Sequence, residues 1–289
     1  MSDKTGPAAG QDDQSLSRRG FTALSVATSV ALASGAARAA AAVVETDVQI
    51  KTADGMCDAA FIHPEGKGTW PAVLIWTDAL GLRPAFRDMG KRLAAEGYAV
   101  LAPNPFYRSA KAPVFPNGLD FSSTVDRARL TELRKPMTPD AVARDGTTFL
   151  AFLDAQAQVN HKAKAGVVGY CMGGPMTLQT AAAVPTRVGA GGSFHGGGLV
   201  SDGPDSPHLL VSKIKARYYF AIAANDDQRQ PDAKDKLKAA FAAASLPATI
   251  VVYDATQHGW CVKDGTVYNE AQAERAWGEL LALYKKSLV

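Results

Sequence analysis

Cysteine is scarce in this chain, with Cys57, Cys171 and Cys261 the only three among 289 residues. Scattered as they are, three thiols are too few for a disulfide framework or a structural zinc site. Net charge is equally thin, at +3 for the whole sequence. That argues against a nucleic-acid partner, because such binders concentrate lysine and arginine on one face. Internal repeats and coiled-coil heptads are absent, which excludes a solenoid or a fibrous rod. What remains is 47% hydrophobic, enough at this length for one substantial core.

The first forty residues stand apart from that core. Ser17-Arg18-Arg19-Gly20-Phe21 precedes an uncharged stretch from Thr22 to Ala37, and Ala37-Arg38-Ala39 fits a cleavage site. Paired arginines ahead of a weakly apolar segment read as a bacterial twin-arginine export signal. The stretch is too short and too weakly apolar for a good spanning helix; an uncleaved N-terminal anchor is the alternative. The expectation is a signal peptide over 1–39, a mature domain over 40–289 and a periplasmic or secreted location, with no stable membrane association after processing. Lys4, Arg18, Arg19 and Arg38 against Asp3, Asp12 and Asp13 remove +1 from the full-chain charge and leave +2. One free reactive cysteine plus a Cys57–Cys261 bridge would account for an odd thiol count in an oxidising compartment, although nothing in the spacing requires that bridge.

Along the mature chain, Val48 to Lys51 and Cys57 to His63 read as short strands joined at Asp54-Gly55. Pro71 to Thr77 is a continuous apolar run, the pattern of a strand buried on both faces. Phe86, Met89 and Leu93 then repeat at helical spacing, and Tyr98 to Ala102 is the next buried strand. Residues 104–136 break this rhythm, first Pro-rich and then charged, and read as a loop with a short helix bordering a pocket. Thr138-Pro139 opens the next helix, with proline at its first position. Further strands are expected at Val188–Phe194, Ala216–Ala223 and Thr249–Tyr253, with helices over Lys234–Ala244 and through Ala276, Leu280 and Tyr284. Strands and helices alternating in this way imply one doubly wound α/β domain with a mostly parallel sheet.

The most informative stretch is Gly169-Tyr170-Cys171-Met172-Gly173, between a β-branched run and a helix-compatible segment. A nucleophile between two glycines fits a tight strand-to-helix turn, where side chains at the glycine positions would strike neighbouring backbone. The following helix directs its N-terminus at the thiol and favours the thiolate. Asp226 follows the next-but-one strand and His258 follows the last, giving nucleophile, acid and histidine in chain order, each after a strand. Asp227 is the alternative acid. His63, His161 and His208 fall in expected surface turns, and Cys261 reads as a packed or bridged thiol. His195 ends a strand on the catalytic side but precedes the acid, so it reads as pocket-lining or structural.

Taken together, the Cys171 turn, the strand exit Asp78-Ala79-Leu80-Gly81, Pro103-Asn-Pro-Phe-Tyr-Arg108 and Gln257-His-Gly-Trp260 resemble the dienelactone hydrolase family, from about Val48 to the C-terminus. The resemblance implies an α/β-hydrolase fold and a Cys171–Asp226–His258 triad that hydrolyses esters or lactones. The Ala79 and Met172 amides would form its oxyanion hole. It places Asp78 where the family typically has a thiol-activating glutamate, one methylene longer. Family members that take dienelactones are similar in carrying an arginine soon after the histidine; here Trp260-Cys261-Val262-Lys263 follows. Arg83, Arg108, His195 and Trp260 are the substrate-binding candidates, with the 127–135 basic run a further source. The expected partner is a small ester or lactone, acting on a monomer with no cofactor and no metal. A thioester or amide hydrolase on the same site, a non-catalytic binding protein of this fold and a thiol redox protein are the competing readings.

Overall fold

The computed structural model describes residues 42–288, so the export segment expected over 1–39 lies outside the described residues. Eight strands form one sheet in the order β1-β2-β4-β3-β5-β6-β7-β8. Strands β1 (Val43–Thr52) and β2 (Gly55–Pro64) make an antiparallel hairpin at one edge, turning at Asp54-Gly55 with Gly55 at φ +140°. From β4 onward all pairings are parallel: β3 (Ala72–Trp76), β4 (Ala99–Pro103), β5 (Ala165–Tyr170), β6 (Val188–Phe194), β7 (Arg217–Ala223) and β8 (Ala248–Tyr253). The apolar runs read as doubly buried strands are the centre of this sheet. Every residue of β3, β4 and β5 is buried.

Alternation along each strand sends side chains to two separate cores. Ala72, Leu74 and Trp76 of β3 join the layer holding Val142, Phe149, Leu178 and Phe241. Val73 and Ile75 join the opposite layer with Phe86, Leu93, Trp277 and Leu280. Helices α3 (Pro139–Asp154), α4 (Gly173–Ala183) and α6 (Ala233–Ala243) supply the first layer. Helices α1 (Pro84–Ala95) and α7 (Glu270–Ser287) supply the second. The Thr138 hydroxyl accepts the Ala141 N–H at 3.2 Å to cap α3, with Pro139 in the first turn.

The excursion over 104–136 carries helix α2 (Thr124–Arg134), capped by the Ser123 hydroxyl and anchored through Leu133. Helix α5 (Ala224–Arg229) and a short 3-10 turn at Pro207–Lys213 were not legible in the pattern, since the first buries no residue and the second only Pro207 and Val211. Among the described residues, no helix is long and apolar enough to cross a membrane.

The layering settles one open point and overturns one expectation. Cys57 and Cys261 sit in different cores, on opposite faces of the sheet, and all three cysteines are free, so no Cys57–Cys261 bridge forms. His63 is not in a surface turn. It lies at the end of β2, buried, with its ring stacked on Trp70 and Nδ1 paired to the Pro64 carbonyl at 2.8 Å.

Candidate active site

Because β5 runs parallel to its neighbours and ends among them, its exit turn is presented at the C-terminal edge of the sheet, where open α/β folds place their sites. Cys171 occupies that turn at φ +53°, a conformation L-residues rarely adopt. Close approach explains the flanking glycines. A Cβ on Gly169 would run into the Gly173 carbonyl at the start of α4, and one on Gly173 would meet the Trp76 and Thr77 carbonyls, the latter at 2.7 Å. The first turn of α4 is therefore pressed against the end of β3, which brings the Met172 and Ala79 regions together. Neither of these two N–H groups has an acceptor among the described residues.

His258 reaches this turn from the loop after β8. Its Nδ1 pairs with Asp226 Oδ2 at 2.7 Å, and its backbone N–H donates to Asn225 Oδ1 at 2.9 Å. Asp226 and Asn225 both belong to α5, so a single turn of helix fixes both the ring and the chain that carries it. Asp227, the alternative acid, is turned to Lys234 Nζ at 2.7 Å. Burial disfavours charge on the imidazole, but hydrogen bonding and charge from Asp226 and Cys171 outweigh it and push the His258 pKa up to about 10. A raised pKa means that the folded state holds the proton more tightly than the unfolded chain. This stabilisation is complete below about pH 6.5, the ordinary histidine value, and is lost as pH rises through about 10. Wild type should therefore exceed Asp226→Asn by about 1–2 kcal/mol in urea unfolding at pH 6, with the gap closing by pH 10.5. A gap that is constant across this range would show that the ring is neutral in the folded protein.

The remaining candidates separate. His195 is buried beside the site at φ +39°, its ring 5.1 Å from that of His258 and edge-on to it. Burial, and then the charge of His258, hold its pKa well below the ordinary value. Both of its ring nitrogens lack a partner among the described residues, so it is a wall of the site rather than a hydrogen-bonded strut. Trp260 is fully buried against Tyr253, ring centroids 4.5 Å apart, and belongs to the α1/α7 core rather than to a substrate surface. Arg108 is drawn into Asp145 and Asp54, both at hydrogen-bond distance, and ties the excursion to α3 and the hairpin. In the 127–135 run, Arg127 and Arg129 are spent on backbone carbonyls of the excursion itself.

Asp78 does lie at the exit of β3, but both of its oxygens are engaged. Oδ1 accepts the Leu80 N–H at 2.9 Å and Arg83 Nη1 at 2.6 Å, and Oδ2 accepts Arg83 Nη2 at 2.9 Å. Sequence reasoning missed Asn225, which pins the His258 backbone, and Asp264, which closes on the far side of Arg83. For Asp264 no local signal exists, since the partners are 181 residues apart. A cavity of about 230 Å3 backs onto the site from the α1/α7 face, walled by Met89, Tyr170, Phe194, Cys261 and Trp277. Tyr170 and Phe194 immediately precede Cys171 and His195, so this space sits beneath the chemistry rather than at it.

An eight-stranded, mostly parallel sheet with a cysteine in a glycine-flanked strand-to-helix turn, and an acid–histidine pair beside it, defines an α/β-hydrolase-like protein. The dienelactone hydrolase family model matches residues 57–288, and the chain belongs to that family. A relative from Methylorubrum extorquens, bearing the name carboxymethylenebutenolidase as an assignment rather than a demonstrated activity, is 29% identical over 92% of this chain and 91% of its own. The carboxymethylenebutenolidase of Rhodococcus opacus is 24% identical over 83% of this chain and 91% of its own. Among solved structures, a metagenomic dienelactone hydrolase-like promiscuous phosphotriesterase superposes with a TM-score of 0.71 at 22% identity, covering 86% of this chain and all of the other. That last likeness speaks to the fold alone.

Proposed function

We propose that the ester or lactone hydrolysis to which family membership assigns this chain runs through Cys171, His258 and Asp226. His258, kept protonated by its raised pKa, pairs with the Cys171 thiolate, and the thiolate attacks the acyl carbon. The Ala79 and Met172 amides, which have no acceptor among the described residues, receive the developing oxyanion. As the C–O bond breaks, His258 gives its proton to the leaving alkoxide, which departs as an alcohol or, for a lactone, stays tethered to the acyl group. Water then gives a proton to His258 and its oxygen to the thioester, the C–S bond breaks, and the acid leaves with the thiolate–imidazolium pair restored. Asp226 fixes the ring tautomer and stabilises the imidazolium through each transfer.

The observation carrying this reading is the placement of one imidazole between Asp226, at 2.7 Å, and a positive-φ cysteine that also raises its pKa. Asp78 has no part in the scheme, because Arg83 holds it. Alkylation tests the reading against a non-catalytic binding protein. Cys171 is half-buried, whereas Cys57 and Cys261 are buried with their thiol pKa values pushed up by desolvation. Iodoacetamide on the native protein should modify Cys171 alone, and hydrolysis of an aryl ester should fall in step with that single adduct. An adduct at Cys171 with activity intact would reject the mechanism.

A further inference from the structure

We propose that Asp264 makes this site selective for uncharged acyl groups by occupying the arginine face that would otherwise receive a substrate carboxylate. The inference rests on the hydrolase reading above and concerns the substrates that the same site accepts. A guanidinium has five N–H donors, and at Arg83 all five are taken. Nε and Nη2 donate to the two Asp264 oxygens at 2.7 and 2.9 Å. Nη1 and Nη2 donate to the two Asp78 oxygens at 2.6 and 2.9 Å, and Nη1 also meets the Gly81 carbonyl at 3.3 Å. Two bidentate carboxylates therefore enclose one cation, and the cluster carries a net charge of −1.

Its position makes that charge matter. Asp78 follows the β3 carbonyls against which Gly173 is packed, so it borders the Cys171 turn. Asp264 lies beyond His258 in the same loop after β8, and its side chain is 45% exposed against 10% for Arg83. Asp264 is thus the outer lid on the arginine and Asp78 the inner floor, with the pair spanning from the β3 exit to the β8 exit. The other basic groups nearby do not reverse the sign. Lys234 is paired to Asp227 and Arg229 to Asp226, while Lys263 is exposed, where salt screens it. A carboxylate on the acyl chain would meet an acidic wall and no free guanidinium donor, whereas an uncharged chain meets no such penalty.

The test compares p-nitrophenyl butyrate with mono-p-nitrophenyl succinate, matched in chain length and corrected for spontaneous hydrolysis. Wild type should favour the neutral ester by at least tenfold in kcat/KM, and added salt should narrow the ratio. Asp264→Asn opens the outer face of Arg83 and should shift the ratio toward the half-ester by tenfold or more, chiefly through KM. A wild-type preference for the half-ester, or a ratio unmoved both by Asp264→Asn and by salt, would overturn the inference and leave the hydrolase reading standing. No Cys171-dependent hydrolysis of either ester would overturn both.

Discussion

Replacing Cys171 with alanine should lower kcat/KM for any ester or lactone substrate by about 10^4-fold or more, while the melting temperature moves by only a few degrees. The size follows from the way such residues act as a unit. Once the nucleophile is gone, the Asp226–His258 pair has no thiolate to sustain, and what survives is the contribution of the oxyanion donors and substrate binding. Stability should change little because the side chain is half-buried and fills no large core space. The pH response supplies an internal check. Cys171 is one of the groups that raise the His258 pKa to about 10, so the variant should titrate His258 closer to its ordinary value in NMR. Cys171→Ser should fall between the two enzymes, since a hydroxyl is a poorer partner for an imidazolium than a thiolate. An alanine variant that retains more than a hundredth of wild-type activity would mean that another group attacks the carbonyl.

What could be read from the sequence follows a physical line. Strands β3, β4 and β5 were legible because burial on both faces leaves an uninterrupted apolar run. The Cys171 turn was legible because its glycines answer to local backbone clashes, and Asp226 and His258 because parallel strands deliver their exit loops to one edge of the sheet. Trp260 misled for a related reason. Its neighbour His258 faces the site, but one turn later the loop doubles back and drops the indole into the core beside Tyr253. Arg83 and Arg108 looked available because their partners are remote: Asp264 is 181 positions from Arg83, and Asp145 is 37 from Arg108. Asp264 thus entered no motif and no periodic face, and only the folded chain reveals what it covers. Cys57 and Cys261 could be paired on paper only while the sheet between them was unseen.

The glycines of the Cys171 turn yield the second large effect, in which one chemical change carries opposite signs at two places. Gly169→Ala should destabilise the protein by about 3–5 kcal/mol, in the range of severe overpacking and backbone strain. The added methyl points into the Gly173 carbonyl and within 2.9 Å of the Gly174 nitrogen, and both are backbone atoms of the first turn of α4 that no rotamer change can move. Relief requires α4 to slide away from β5. That same helix start is packed by Gly173 against the Trp76 and Thr77 carbonyls, so the shift would separate the Met172 and Ala79 amides and tilt the Cys171 thiol away from His258. Activity per folded molecule should therefore fall at least a hundredfold, beyond any loss of folded protein, because catalysis is sensitive to displacements of about 1 Å. Gly278→Ala is the matched control. Gly278 is an exposed position within α7 with nothing inside 4 Å of the new methyl, and alanine there should stabilise by about 0.5–1 kcal/mol through helix propensity alone. Urea unfolding and active-site titration of both variants separate the two contributions. If Gly169→Ala matched Gly278→Ala in stability, the close approach of β5 and α4 would not exist, and neither would the geometry that holds Cys171 beside His258.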